Sequence, residues 1–383
     1  MKQFLKELSG WFRFRKIPPE ALRIVFFHEN HQYYSYLEGL VRSLTETHGE
    51  TVYYITTASD DPILDNPPDG IQSFYFKSLL SIVMGSIQCR IFVMTMTDLN
   101  HFYLKRSFHP VHYVYAFHSL VSTHMVYRYG SFDHYDSILC VGPHHNREIR
   151  KHEALYDVPE KQLVDAGYYR LEQIYEAFQT TEFADTTPGN TVLIAPSWGK
   201  KNILESVGEQ LVELLIHAGY RVIVRPHPET VKRTPEFIER IQSRFDNHEA
   251  LTIELSVATN DSLFKADVLI SDYSGVSLEY ALGTNRPVLF LEVPSKINND
   301  RYKDLEMPVL ELETRSQIGM VLSPDDLDNV PATIELLKAE RSTYQERISQ
   351  LRDEYVYHFG RSSEIGAEHI MKLLHKIPEQ ADL

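Results

Sequence analysis

Two short runs hold the residues best suited to gripping a phosphate. In the first, Val222-Ile223-Val224 leads into Arg225-Pro226-His227-Pro228. The prolines fix the backbone on both sides of His227 and push it extended, which holds the imidazole at a strand end. An imidazole held there can donate to a phosphate oxygen, and Arg225 can add a forked charged contact. The competing reading is that His227 merely caps a neighbouring helix. In the second run, an apolar stretch ends at Ser271-Asp272-Tyr273-Ser274-Gly275, with a helix expected to start near Ser274-Gly275. Small residues there let backbone N–H groups approach an anion, and the helix dipole favours its charge. Ser274 and Ser277 are the expected hydroxyl donors, and Glu279 is placed to orient a ribose or acceptor hydroxyl. Simple N-capping is the alternative role for Ser271 and Asp272. Gly283 is expected as a left-handed C-cap, with Pro287 opening the next strand.

A third constellation follows the aromatic run Tyr113 to Phe117, where His118 ends a predicted strand and faces the same cleft. An imidazole titrates near working pH, so His118 is a candidate general base. His124, His134, His144 and His145 lie nearby and raise the question of a metal. There is no HExxH, no Cys ligand and no repeated two-His-one-carboxylate spacing, so neither a metal nor a cofactor is expected. His28-Glu29-Asn30-His31 also follows a strand, but its HExH spacing is wrong for a zinc helix. His28, Glu29 and His124 are therefore read as acceptor-side candidates, with a structural role as the alternative. In Pro196-Ser197-Trp198-Gly199-Lys200-Lys201-Asn202, Lys200 is placed to meet donor phosphates, Ser197 to cap the next helix, and Trp198 to pack or stack.

The elements that position these residues alternate short apolar runs with longer helical segments, the pattern of parallel sheets with crossover helices. Strands are predicted at 22–27, 51–56, 90–94, 112–117, 137–141 and 162–165, with a helix over 33–47. The polar, Thr-rich stretch 179–190 closes with Pro-Gly and reads as a linker. Beyond it come strand TVLIAPS, a helix over 203–218, strand RVIVRPHP, a helix over 235–245, and strands LTIEL, DVLISD and RPVLFLE. Helices over 331–357 and 363–376 close the chain. The fold class is thus α/β, two tandem Rossmann-like, doubly wound domains facing a central cleft. The expected boundaries are 1–180 for an acceptor-side domain, 181–360 for a nucleotide-donor domain, and 361–383 for a helix crossing back to the first. Ligands in such sheets bind beyond the carboxyl ends of the strands, where all three constellations fall.

A chain of 383 residues with 43% hydrophobic residues buries a sizeable core. Its net charge of −15 argues against nucleic acid, which calls for a basic stripe, so an anionic substrate must be met locally. Two cysteines, Cys89 and Cys140, sit in apolar runs, which excludes a disulfide framework and favours a cytoplasmic address. No stretch is long and apolar enough to span a bilayer, and no signal-peptide pattern is present. Residues 1–20 are amphipathic and basic, with Phe4, Leu5, Leu8, Trp11 and Phe12 among Lys2, Lys6, Arg13, Arg15 and Lys16. They are expected either to pack as a helix on the first domain or to touch the inner face of the plasma membrane.

With RPHP, SDYSG and the His118 strand end in view, the chain resembles the CDP-glycerol glycerophosphotransferase family, the teichoic-acid primases and polymerases of GT-B fold. The similarity is strongest from Thr191 to Glu292. It continues through Val111 to Tyr169 in FHS, FDHYD, VGPHHNREI and AGYYR. The resemblance implies His118 as base, and His227 with the Ser271-to-Ser274 turn on the donor pyrophosphate. It implies a CDP-linked polyol donor, and a hydroxyl of a cell-surface glycan or lipid-linked precursor as acceptor. Where the family reads His-Gly-Thr-Pro, this chain reads His118-Ser119-Leu120-Val121-Ser122. A nucleotide-sugar glycosyltransferase or epimerase on the same fold is the alternative, and a non-catalytic nucleotide sensor or scaffold is a third reading.

Overall fold

In the computed structural model, which describes residues 2–184, 189–246, 248–256 and 259–376, the chain folds into two lobes, each built on a parallel sheet. The first sheet holds β1 (Ile24–His28), β2 (Val52–Thr56), β3 (Ile71–Tyr75), β4 (Ile91–Met94), β5 (His112–Ala116), β6 (Ser137–Cys140) and β7 (Gln162–Asp165), in the order β3-β2-β1-β4-β5-β6-β7. The second holds β8 (Thr191–Ile194), β9 (Arg221–Val224), β10 (Leu251–Ile253), β11 (Val268–Ser271), β12 (Val288–Leu291) and β13 (Gly319–Leu322), in the order β10-β9-β8-β11-β12-β13. The central strands are buried along their whole length, as Ile24–His28 and Val268–Ser271 are. A strand covered by helices on both faces has no polar side to alternate with, hence the continuous apolar runs.

Strand order reverses between β1 and β4 in one sheet and between β8 and β11 in the other. Each reversal opens a crevice beyond the carboxyl ends of those strands. The segments leaving those ends include His28-Glu29, Thr95, Ser197 and Asp272, and His118 follows the neighbouring β5.

Of the four edge strands, β7 and β10 fall on predicted runs, whereas β3 and β13 are the ones the apolar pattern did not announce. β3 carries Gln72 and Ser73 mid-strand, and β13 is a four-residue run that opens on glycine. The segment expected as one helix over 33–47 is a 3-10 turn (His31–Tyr36), an α-turn (Glu38–Arg42) and a π-turn (Ser43–Thr47). Helices Pro143–Tyr156 and Tyr169–Gln179 follow β6 and β7. The expected helix over 331–357 breaks at Glu340 into Val330–Ala339 and Arg341–Tyr355. The last helix, Ser362–Lys376, packs Ala367, Ile370 and Leu373 into the core formed by Ile24, Phe26 and Leu40. The expected linker 179–190 begins where the Tyr169–Gln179 helix ends; its residues 185–188, like residues 377–383 of the expected closing segment, lie outside the described ones.

Candidate active site

His118 leaves β5 and is half-buried among three tyrosine rings, Tyr33, Tyr36 and Tyr127, at 5.8, 6.1 and 6.1 Å between ring centres. Its Nδ1 lies 3.1 Å from the carbonyl oxygen of Thr95. A carbonyl only accepts, so Nδ1 carries the proton and Nε2 is left with a lone pair. Burial lowers the imidazole to about 4, partly offset by that hydrogen bond, so His118 is neutral at pH 7. A neutral, oriented imidazole with one basic nitrogen is what a general base requires.

The turn after it is held from both lobes. Nε2–H of His144 donates to Leu120 O (2.9 Å), and Nε2–H of His145 donates to Val121 O (3.0 Å). Glu148 accepts from the backbone and hydroxyl of Thr123 at 2.5 and 2.6 Å. From the second lobe, Glu311 accepts from Ser122 N (2.9 Å), Leu310 N donates to the Ser122 hydroxyl (2.8 Å), and the Asn299 amide donates to His124 O (2.8 Å). Ser119 itself lies against Gly275, where an added Cβ would stand 2.7 Å from Ser119 Oγ. The bulkier turn that replaces His-Gly-Thr-Pro is thus a strap joining the lobes beside His118.

In the second lobe, His227 is the N-cap of the Pro228–Arg233 helix, its Nδ1 accepting from Glu229 N at 3.1 Å. The capping reading therefore holds, and it leaves Nε2–H as the ring's donor. Burial, then the Lys296 charge, lowers His227 to about 4, so it too is neutral at pH 7. Its ring lies 6.1 Å from Trp198, over whose face stands the Lys296 ammonium at 3.6 Å. Burial brings that amine down to about 8, against the pull of Asp272 and Glu229. Lys296 went unnoticed in the sequence because it lies in the irregular Pro294 to Asn298 loop, away from any strand end.

The SDYSG turn divides into scaffold and seat. Ser271 donates to Ala195 O (2.7 Å), and Asp272 accepts from Ser197 N (2.7 Å), so both lock the turns after β8 and β11 together instead of facing a ligand. Neither caps the helix; Gly275 does, and the helix runs Val276–Thr284. Ser277 donates to Ser274 O (2.8 Å), which leaves Ser274 and the first-turn N–H groups as the seat. Gly283 is not the C-cap: Asn285 takes the left-handed conformation (φ 54°), while Gly283 lets the helix approach Ile174, whose Cγ2 an added Cβ would meet at 2.5 Å.

Arg225 is buried and turned toward Ser262 Oγ and Thr259 O, both at 3.1 Å. Glu279 accepts from Tyr168 OH (2.7 Å) and lies 3.9 Å from Arg170 Nε. Glu279 and Arg225 both act electrostatically on Tyr36, and Glu229 on Tyr33, so the tyrosines packed on His118 reach the donor side of the cleft. Tyr33, Tyr36, Tyr127 and Arg170 line the candidate site; none of them was singled out in the sequence, although Arg170 closes the AGYYR run.

Three expectations move. His28 is fully buried between Tyr34 and Tyr54, and burial with the His31 charge lowers it to about 3, so it is a core residue. His124 is buried 3.5 Å from Glu148, inside the strap. Ser197 does not cap the next helix; Asn202 does, accepting from Leu204 and Glu205 N. Lys200 is exposed on its turn. Glu29 lies at the cleft rim, accepting from Tyr103 OH at 2.5 Å. Among the described residues no group of His, Cys, Asp and Glu could hold a metal.

The family model described as CDP-Glycerol:Poly(glycerophosphate) glycerophosphotransferase matches residues 115–370, more than half of the chain, from the strand of His118 through the strap, RPHP and SDYSG to the last helix. The chain belongs to this family. No curated protein matches it in sequence. Among solved structures it is similar to the wall teichoic acid polymerase TagF in a CDPG soak, at 15% identity and TM-score 0.63, covering 98% of both chains. It is also similar to the UDP-GlcNAc 2-epimerase of Methanocaldococcus jannaschii in complex with UDP-GlcNAc and UDP, at 14% identity and TM-score 0.58, covering 92% of this chain and 99% of that one. A third likeness is S. aureus MnaA with UDP, at 15% identity and TM-score 0.57, covering 93% of this chain and 97% of that one. At such identities the shared property is the fold, two facing α/β lobes of GT-B type. Family membership identifies a glycerophosphotransferase, an enzyme that moves glycerol phosphate from CDP-glycerol.

Proposed function

We propose that the cleft transfers glycerol phosphate from CDP-glycerol to the terminal hydroxyl of a glycan or lipid-linked polymer precursor, with His118 as base. The observation that carries this is the tautomer of His118: with Nδ1–H spent on Thr95 O, its basic Nε2 is the atom left for an acceptor hydroxyl. Nε2 takes the hydroxyl proton as the oxygen attacks the phosphorus that bears glycerol. The bond to the bridging oxygen breaks, and CMP leaves with its electron pair. His227 Nε2–H, Ser274, the N–H groups at Gly275 and Val276, and the Lys296 ammonium take up charge on the pyrophosphate. Arg225 and Glu279 hold the cleft walls. Incubation with CDP-glycerol and a lipid-linked acceptor is expected to release CMP in step with acceptor growth. UDP release from a UDP-sugar, with no CMP from CDP-glycerol, would favour the glycosyltransferase or epimerase reading.

The reading extends to the inner face of the membrane. Helix Lys2–Phe14 buries Phe14 against Phe74 and Phe76, and its Glu7 accepts from Lys77 N and Leu79 N, so one face packs on the lobe. Phe4, Leu5 and Phe12 stay exposed among Lys6, Arg13 and Arg15. No helix among the described residues is long and apolar enough to cross a membrane, so contact would be peripheral. Co-sedimentation with anionic vesicles is expected for the native chain and should fall at least fivefold on changing Phe4, Leu5 and Phe12 to Ser; equal pelleting removes this part of the reading.

A further inference from the structure

Near His118 the first lobe carries an open groove of about 320 Å3, walled by the Met96-to-Leu104 loop and by Val126 to Arg128, with Asn298 of the second lobe closing its far side. The groove is separated from the proposed base by one ring, that of Tyr127. Thr95, which holds His118 Nδ1, immediately precedes that loop, and Tyr127, packed against His118, lines the groove.

Its far end carries an unusual cation. The Arg128 guanidinium stands 5.6 Å from the centre of the Phe102 ring, which is itself 71% exposed. Among the described residues no carboxylate is within ion-pair distance of Arg128. The loop beneath holds Asp98, Asn100 and Phe102 at φ of 62°, 67° and 47°. For a phenylalanine that left-handed backbone is an outlier, and here it brings the ring under the guanidinium. In a chain of net charge −15, an exposed arginine with one face on an aromatic ring and its fork open is a local anion site. Asp98 adds hydroxyl recognition: its two oxygens accept from Thr97 Oγ1 (3.0 Å) and Ser131 Oγ (3.3 Å), which fixes the carboxylate in the groove wall. Asn298 donates its amide to Val126 O (2.7 Å), so the second lobe completes the groove only when the lobes are apposed as they are here.

We propose that this groove is the acceptor subsite, and that it takes a chain of polyols joined by phosphodiesters: one backbone phosphate rests on Arg128, neighbouring hydroxyls meet Asp98, and the terminal hydroxyl is delivered to His118. The assignment rests on the transfer reading above and adds to it the place and the charge requirement of the acceptor. A volume of that size suits one or two polyol-phosphate units.

The test compares wild type, Arg128→Ala and Arg128→Lys with two acceptors, a synthetic glycerol-phosphate oligomer and an uncharged glycoside of similar length. Arg128 is exposed, so the variants are expected to fold. For Arg128→Ala the KM for the oligomer should rise at least tenfold and lose much of its salt dependence, with partial recovery in Arg128→Lys. The KM for the uncharged acceptor and for CDP-glycerol should stay within twofold. An oligomer KM within twofold of wild type, or an equal rise for both acceptors, overturns the assignment. A separate binding titration of the oligomer in the absence of donor keeps the two readings apart. If wild type releases no CMP from CDP-glycerol, the transfer reading fails. The groove then stands on tenfold weaker oligomer binding by Arg128→Ala and falls on equal binding or none.

Discussion

The two histidines of the candidate site are neutral through burial, and a single hydrogen bond sets the tautomer of each. Thr95 O fixes the proton of His118 on Nδ1, and Glu229 N fixes that of His227 on Nε2, so one ring is left as an acceptor and the other as a donor. His118→Ala is expected to lower kcat by about a thousandfold, at the level of a lost general base, while CDP-glycerol affinity changes less than threefold. The pH profile follows from two groups. Burial lowers His118 to about 4, so its basic form is lost only as pH falls through that value. Burial lowers Lys296 to about 8, so its cation is lost as pH rises through that value, weakening the hold on the pyrophosphate. kcat/KM should therefore be flat from about pH 5 to pH 7.5 and fall above pH 8, and Lys296→Arg should move the alkaline limb upward because a guanidinium does not titrate there. An unmoved limb would remove Lys296 from the donor site. At this scale His118, His227 and Ser274 were legible because strand ends and prolines mark them. Lys296 and Arg170 were not, since a lone basic residue in a loop or helix looks like any solvated one. His28 misled because a histidine at a strand end reads the same whether it faces the cleft or Tyr54.

Among the elements, the Ser119-to-Val126 strap distinguishes this chain. His144 and His145 hold two of its carbonyls, Glu148 and Glu311 two of its N–H groups, and Gly275 meets it from the N-terminus of the Val276–Thr284 helix. Gly275→Ala would drive a Cβ to 2.7 Å from Ser119 Oγ. Overpacking of this kind costs about 1–3 kcal/mol, and here it falls between base and donor. The variant is expected to lose about tenfold or more in kcat/KM, and adding Ser119→Ala, which deletes the clashing oxygen, should recover most of it. A double variant as poor as the single would show that the contact does not set the geometry. Most strands were legible from apolar runs. β3 was not, because Gln72 and Ser73 break its apolar run, nor β13, four residues opening on glycine; the strap was not, because its order comes from partners on both lobes that no local pattern reveals.

Across the whole molecule, the lobes meet around buried carboxylates in opposite states. Glu148 is held down to about 2 although burial opposes it, by His124 hydrogen bonding and the charges of His144, His124 and His145. Glu311 is pushed up to about 7 by burial, and its Oε1 has no hydrogen-bond partner among the described residues. A carboxyl raised in the folded state stays protonated while the unfolded one ionises, so stability is lost as pH climbs from about 4.5 to 7, by roughly 2–3 kcal/mol. Glu311→Gln should flatten that part of a melting-temperature profile, and an unchanged slope would show that Glu311 is not its source. The doubly wound pair was legible in the sequence from the restart of the alternation at Thr191. How the lobes touch was not, since it is decided by pairs such as Ser119 with Gly275 and Asn299 with His124, far apart in the chain. The central claim is that this cleft moves glycerol phosphate from CDP-glycerol with His118 as base. Its most direct test is a parallel reading of CMP release and acceptor mass for wild type and His118→Ala with CDP-glycerol. Wild type is expected to give equimolar CMP and added glycerol phosphate, and His118→Ala about a thousandfold less of both at near-normal donor binding; wild-type turnover by the variant, or no CMP from the native enzyme, would overturn the assignment.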